Sequence, residues 1–136
     1  MTKRKIKEAM TEQDVQDWLD EYGRAWINGD PDHVVTLFSD SATYREMPFD
    51  DPMRGQDEIR EYWQNGAADE QEDVEFASQV WAVKNDTAFA GWQARFTRKA
   101  SRARVELDGV FRLVFSREQG TLRCTVLEEW WHSKES

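Results

Sequence analysis

Val105-Glu-Leu-Asp-Gly-Val-Phe-Arg-Leu-Val-Phe115, then Ser116-Arg-Glu-Gln-Gly120, then Leu122-Arg-Cys-Thr-Val-Leu-Glu-Glu-Trp-Trp-His132: this stretch decides the fold. Its first part alternates strictly. Leu107, Gly109, Phe111, Leu113 and Phe115 fall on one side, with Glu106, Asp108 and Arg112 on the other. Alternation with period two is the pattern of a half-buried strand. Gly120 after a polar run predicts a hairpin turn, so the segment folds back as two long antiparallel strands. Everything else must pack on that floor.

Working backwards, residues 87–98 read as another strand. Ala88, Ala90, Trp92, Ala94 and Phe96 share a face opposite Phe89, Gly91, Gln93 and Arg95. Residues 74–83 form its partner across a tight turn at Asn85-Asp86. Upstream the period changes. Thr11-Glu-Gln-Asp14 resembles a capping box, and Val15, Trp18, Leu19, Tyr22 and Trp26 then recur at helical spacing. Asn28-Gly29 closes that helix. Asp30-Pro31 restarts a short one, with Asp as N-cap and Pro in the first turn. Val34, Val35, Leu37 and Phe38 make its apolar side, and Ser39-Asp-Ser41 is expected to end it. Residues 42–47 read as a short strand, the segment with Pro48 and Pro52 as a loop, and 56–65 as a third helix presenting Ile59, Tyr62 and Trp63. Gly66 should terminate it, and residues 69–73 read as an acidic loop.

Helices gathered before a run of strands predict an α+β fold, three N-terminal helices covering one face of a curved, cone-shaped antiparallel sheet. Residues 1–10 read as a flexible arm or the start of the first helix, and 11–136 as one domain. A strongly curved sheet leaves a hollow beneath the helices, and aromatic side chains from both layers would line it. With seven Trp and seven Phe, rings are plentiful enough to fill a core and line a pocket.

Composition narrows the function. The formal charge of −9 repels phosphate backbones and argues against a nucleic-acid partner. The basic cluster Arg95, Arg98, Lys99, Arg102 and Arg104 is local and reads as a solvated strand end and loop, with an anion contact as the alternative. No apolar run approaches the roughly 20 residues of a membrane span. The lone Cys124 leaves no internal disulfide, and the expected location is the cytoplasm. His33 and His132 are far apart, and the carboxylates lack zinc-ligand spacing. No phosphate loop or nucleophile elbow is present. No metal and no cofactor are expected.

Several of these segments resemble a known family. Trp26-Ile-Asn-Gly-Asp-Pro-Asp32, Leu37-Phe-Ser-Asp40, Tyr44, Pro52-Met-Arg-Gly55 and Tyr62-Trp63 resemble a nuclear transport factor 2-like domain. The ending Leu127-Glu-Glu-Trp-Trp-His132 is similar to the SnoaL-like branch, relatives of polyketide cyclases and ketosteroid isomerases. The resemblance implies a cone with a pocket at its open end and a homodimer through the outer sheet face. It also implies a late-strand carboxylate working as acid or base. Many such relatives carry Asp two residues before the Phe-Arg pair of the penultimate strand. Here Gly109 stands there, with Asp108 one residue earlier on the other face. Where they carry Glu-His-Trp, this chain has Glu128, Glu129 and Trp130.

Glu129 is therefore the leading candidate. If it shares the concave face with Leu127 and Trp131, burial among rings raises its pKa, as acid–base catalysis needs. If the face is reversed, Glu129 is a surface charge and Glu128 takes the role. Tyr44 and Glu46 alternate to one side and form a second candidate pair, as hydrogen-bond donor and carboxylate. The alternative is one core Tyr and one rim Glu. Tyr22, Trp26, Phe38, Trp63, Trp92, Phe96, Phe111 and Trp131 are the expected pocket lining. Three functions fit: acid–base catalysis without a cofactor on a small apolar or aromatic molecule, an isomerase, cyclase or dehydratase; binding of such a molecule without turnover; or an interaction domain whose aromatics are all core.

Overall fold

The computed structural model describes residues 9–136. Most of the expected arm, up to Glu8, lies outside the described residues. Helix α1 spans Glu12–Ile27. Thr11 accepts from the Asp14 N–H and the Asp14 carboxylate accepts from the Thr11 N–H, so Asp completes the capping box. Its buried stripe is Val15, Trp18, Leu19, Tyr22 and Trp26. Asn28 caps it, and Gly29 turns the chain at φ 58°. Asp30 caps α2, Pro31–Val35, through the His33 N–H.

Here the expectation needs correction. Helix α2 stops at Val35, and strand β1, Phe38–Arg45, has already begun where Ser39 and Ser41 were expected to close a helix. The reason is tertiary. The Leu37 carbonyl accepts from the Cys124 N–H at 2.9 Å and from the Trp18 indole at 3.0 Å, which draws the segment into the sheet. Strand β2 is a two-residue piece, Met53–Arg54, and α3 follows at Gly55–Trp63. Gly66 does not end the helix. A wide π-turn, Gln64–Ala68, carries the chain past it. The acidic segment is likewise part sheet, since β3 runs Gln71–Lys84, with Asp73 at φ 54° where the pairing register slips. Then come β4 at Thr87–Arg98, β5 at Arg104–Glu118 and β6 at Thr121–Glu135. The β5–β6 turn is tighter than expected, since residues 116–118 stay in the strand and only Gln119-Gly120 turn.

The sheet has six strands in the order β2-β1-β6-β5-β4-β3. The four long strands pair antiparallel, and β1 joins β6 in parallel through Tyr44 opposite Leu127. That parallel pairing is what sets Tyr44 beside the Glu129 strand. The concave face carries the expected series, Ala88, Ala90, Trp92, Ala94 and Phe96 from β4 and Phe111, Leu113 and Phe115 from β5, all buried. Helix α1 lies over it, and Gln56 of α3 ties to the carbonyls of Val35 and Phe38.

Candidate active site

Register decides which side chains meet. Phe111 lies opposite Ala90 on one flank and Glu129 on the other. Two residues further out, Gly109 lies between Trp92 and Trp131. The inward series of β6 is therefore Leu127, Glu129 and Trp131, while Trp130 points out and is 46% exposed. Glu128 faces out as well and pairs with Arg112 at 2.9 Å. Of the two faces left open by the sequence, the one that buries Glu129 is the one adopted. It is 6% exposed, the only buried carboxylate among the described residues.

Glu129 borders a cavity of about 250 Å³ between the helices and the sheet. Tyr44 and Glu46 reach it from β1 and just beyond, and Tyr22 and Trp26 from α1. Trp63 comes from α3, Trp92 and Phe96 from β4, and Trp131 from β6. Two expected lining residues are absent from the wall. Phe38 is fully buried under Trp18 and Tyr44, ring centroids 5.6 and 5.8 Å away. Phe111 is covered by Trp92, stacked at 5.1 Å, and by Tyr22 at 5.5 Å. Both sit where the cone is already filled. Conversely, Tyr62, Gln71, Arg98 and Ser133 line the cavity without having been expected there. Arg98 and Ser133 continue the period-two series of Phe96 and Trp131, so that signal was present. Gln71 was hidden because its segment reads as a loop. A wider hollow of about 530 Å³ between Met10, Asn85 and Arg117 is edged by the exposed Glu12 and Asp86 and holds no buried acid.

Electrostatics make the first cavity chemically distinctive. Burial lifts the Glu129 carboxyl from an ordinary 4.5 to about 8, the nearby Glu46 carboxylate adds to the rise, and hydrogen bonding from Tyr44 opposes it. The Tyr22 and Tyr44 hydroxyls are 2.8 Å apart. Burial first, and then the charge of Glu129, holds both phenols well above their usual range. Tyr62 is raised the same way, by burial first and then by the charges of Glu129 and Glu46. The tyrosines are thus neutral O–H donors at any ordinary pH. Trp26 donates to Gln71 at 2.7 Å. No group of three or more His, Cys, Asp or Glu with metal-holding geometry occurs among the described residues.

The position at which relatives of the cyclase type carry Asp is closed here. A Cβ on Gly109 would lie 2.6 Å from the Trp92 ring. That indole takes the space, so position 109 has no room for a carboxylate.

The model of the SnoaL-like domain matches residues 8–123. The chain belongs to the SnoaL-like domain family. Among solved structures, this SnoaL-like chain superposes on a putative scytalone dehydratase from Novosphingobium aromaticivorans with TM-score 0.79, at 12% identity, covering 91% of this chain and 86% of that one. The epoxide hydrolase/cyclase-like enzyme SalBIII of salinomycin pyran ring formation matches with TM-score 0.74, at 22% identity over 89% and 92%. A ketosteroid isomerase-like protein from Erwinia carotovora matches with TM-score 0.69, at 18% identity over 87% and 93%. At such identities the likeness is one of fold. No curated protein matches the sequence.

Proposed function

We propose that this SnoaL-like protein catalyses proton transfer on a small, flat, largely apolar molecule without a cofactor, as an isomerase, cyclase or dehydratase. Glu129 carries the proton. The observation behind this reading is a single buried carboxyl, with pKa raised to about 8, on the wall of an aromatic cavity. A group poised near the working pH is populated in both forms and transfers protons with useful driving force. As a carboxylate it takes a proton from the carbon beside a carbonyl, and the C–H electron pair moves onto the carbonyl oxygen. As an acid it returns the proton at a second position. With substrate bound, Tyr44 turns its one O–H from Glu129 to the oxygen that gains charge, and Tyr22, donating to the Tyr44 oxygen, polarises it further. Glu46 disfavours the ionised form of Glu129 and so sharpens it as a base. The structural neighbours named above include a putative scytalone dehydratase and an epoxide hydrolase/cyclase-like enzyme, which supports the class.

The test requires no knowledge of the natural substrate. β-Tetralone in D₂O should exchange its α-protons faster with the protein than in buffer. Glu129→Gln should lower that excess by about 10²–10⁴-fold while tetralone affinity stays within about tenfold. Exchange that matches buffer, or that survives in Glu129→Gln, sinks the catalytic reading. The second reading, a binding protein without turnover, draws support from the closure of position 109 by Trp92, and it predicts affinity with no exchange.

We also infer a two-fold dimer through the convex sheet face, in the cytoplasm. That face carries Asp108, Val110, Arg112 and Val114. Beside them Trp81, Phe89 and Trp130 are left exposed, more apolar surface than a bare sheet ordinarily shows.

A further inference from the structure

Of the seven glycines, Gly66 is the one whose presence the fold does not explain. Gly29, Gly55 and Gly120 take left-handed φ values. At Gly23, Gly91 and Gly109 the place of a Cβ is taken by the rings of Phe76, Trp81 and Trp92. Gly66 has neither reason. Its φ is not left-handed, and a Cβ added there would meet nothing among the described residues within 4 Å. It lies in the π-turn Gln64–Ala68 that continues α3, where glycine stabilises a helical backbone less than alanine does. Folding alone would favour a side chain at this position.

What the position does have is a place on the cavity wall. Gly66 and Ala67 both border the hollow that holds Glu129. Ala67 is buried and Gly66 only half-buried, so Gly66 stands where the hollow meets solvent. Gln71 and Arg98, half-buried, and Ser133, exposed, are wall residues that reach the surface from the sheet. The turn itself is fastened in place. The Asp69 N–H donates to the Gln64 and Gly66 carbonyls, and Gln64 Nε2 donates to the Asp69 carboxylate at 2.9 Å. Lys99 donates through Nζ to the Ala68 carbonyl at 3.1 Å and through its N–H to the Glu70 carbonyl at 2.9 Å. π-Turns are uncommon and recur at functional sites. We propose that Gly66 sets the size of molecule that enters the cavity: its missing side chain holds the entrance open, and a larger residue would narrow it. The proposal rests on the reading of this cavity as a small-molecule site and adds the residue that selects by size at its mouth. The space beside Gly66 takes a side chain without displacing a neighbour, so a larger residue costs access rather than packing.

Gly66→Ala, Gly66→Leu and Gly66→Phe form a graded series. Two ketones of different size report on entry, cyclopentanone with one small ring and β-tetralone with two fused rings. Trp26, Trp63, Trp92 and Trp131 border the cavity, so saturable quenching of tryptophan fluorescence in stopped flow follows entry. β-Tetralone should associate more slowly with each step in side-chain size, by at least about tenfold for Gly66→Phe, while cyclopentanone stays within about threefold of the unaltered protein. Thermal unfolding supplies a second measurement, in which Gly66→Ala should raise the midpoint by about 2–5 °C. β-Tetralone association that does not change along the series, or that slows equally with cyclopentanone, overturns the size gate while leaving the cavity and the Glu129 chemistry standing. A lowered midpoint for Gly66→Ala, or failure of the larger variants to fold, overturns it too, because glycine would then serve the backbone or the packing. If neither ketone quenches the unaltered protein, the small-molecule reading of the cavity falls, and the gate with it.

Discussion

Burial of Glu129 should be visible in stability before any substrate is known. The carboxyl titrates near 4.5 when unfolded and at about 8 when folded. Between those values the native chain keeps a proton that the unfolded chain has released. The native state binds more protons there, so stability falls as pH rises, by about 1.4 kcal/mol per pH unit. The contribution is complete below pH 4.5, is being lost through pH 7, and is gone above about 8. The whole loss is about 5 kcal/mol, a large part of the roughly 5–15 kcal/mol that holds a domain folded. Glu129→Gln keeps the shape and cannot ionise. Urea unfolding of both proteins from pH 4.5 to 9 isolates this group, because all other titrations cancel in the difference. We expect the two midpoints to lie close together at pH 5 and the Gln variant to be more stable by about 3–5 kcal/mol at pH 9. A difference that does not vary with pH, or a Gln variant that is less stable at pH 9, refutes the buried acid and with it the proposed chemistry.

If Glu129 acts as the base in proton abstraction, the exchange rate should climb about tenfold per pH unit below pH 8 and level off above it; a flat profile assigns the proton to another group. Trp92→Ala removes a ring stacked on Phe111 and within 6.2 Å of Phe76. It should cost about 3–5 kcal/mol in urea unfolding and strengthen binding of bulkier apolar probes, so unchanged probe binding would make Trp92 plain core. Gly109→Ala drives a methyl to 2.6 Å from that same ring. A loss of about 1–3 kcal/mol with a changed Trp fluorescence spectrum is expected, and a silent substitution would show that Trp92 does not need the glycine. Light scattering at micromolar concentration should find twice the 16.0 kDa chain mass, and Trp130→Glu should halve it. A 16.0 kDa species in the unaltered protein removes the dimer.

The period of the hydrophobic pattern was enough, alone, to determine much of this molecule. Alternation in residues 87–98 and 105–115 placed Trp92, Phe96, Phe111 and Phe115 on one face, and 3.6-residue spacing placed Tyr22 and Trp26 on another. Both follow from backbone geometry that every residue in a strand or helix shares. The same periodicity failed wherever a long-range bond outweighed the local signal. Leu37 and Phe38 fit the apolar side of a short helix, but bonds from Trp18 and Cys124 to the Leu37 carbonyl draw them to the sheet. Gln71 looked like acidic loop until β4 supplied a partner for it. Whether Glu128 or Glu129 faced inward was undecidable locally, since two adjacent carboxylates in a strand are equivalent until a register is chosen. That register comes from pairing Phe111 with Glu129 and Tyr44 with Leu127, contacts between segments far apart in sequence. Only the tertiary structure brings a carboxyl and two linked phenols to one aromatic hollow, because packing rather than sequence spacing removes the water that would otherwise leave each of them ordinary.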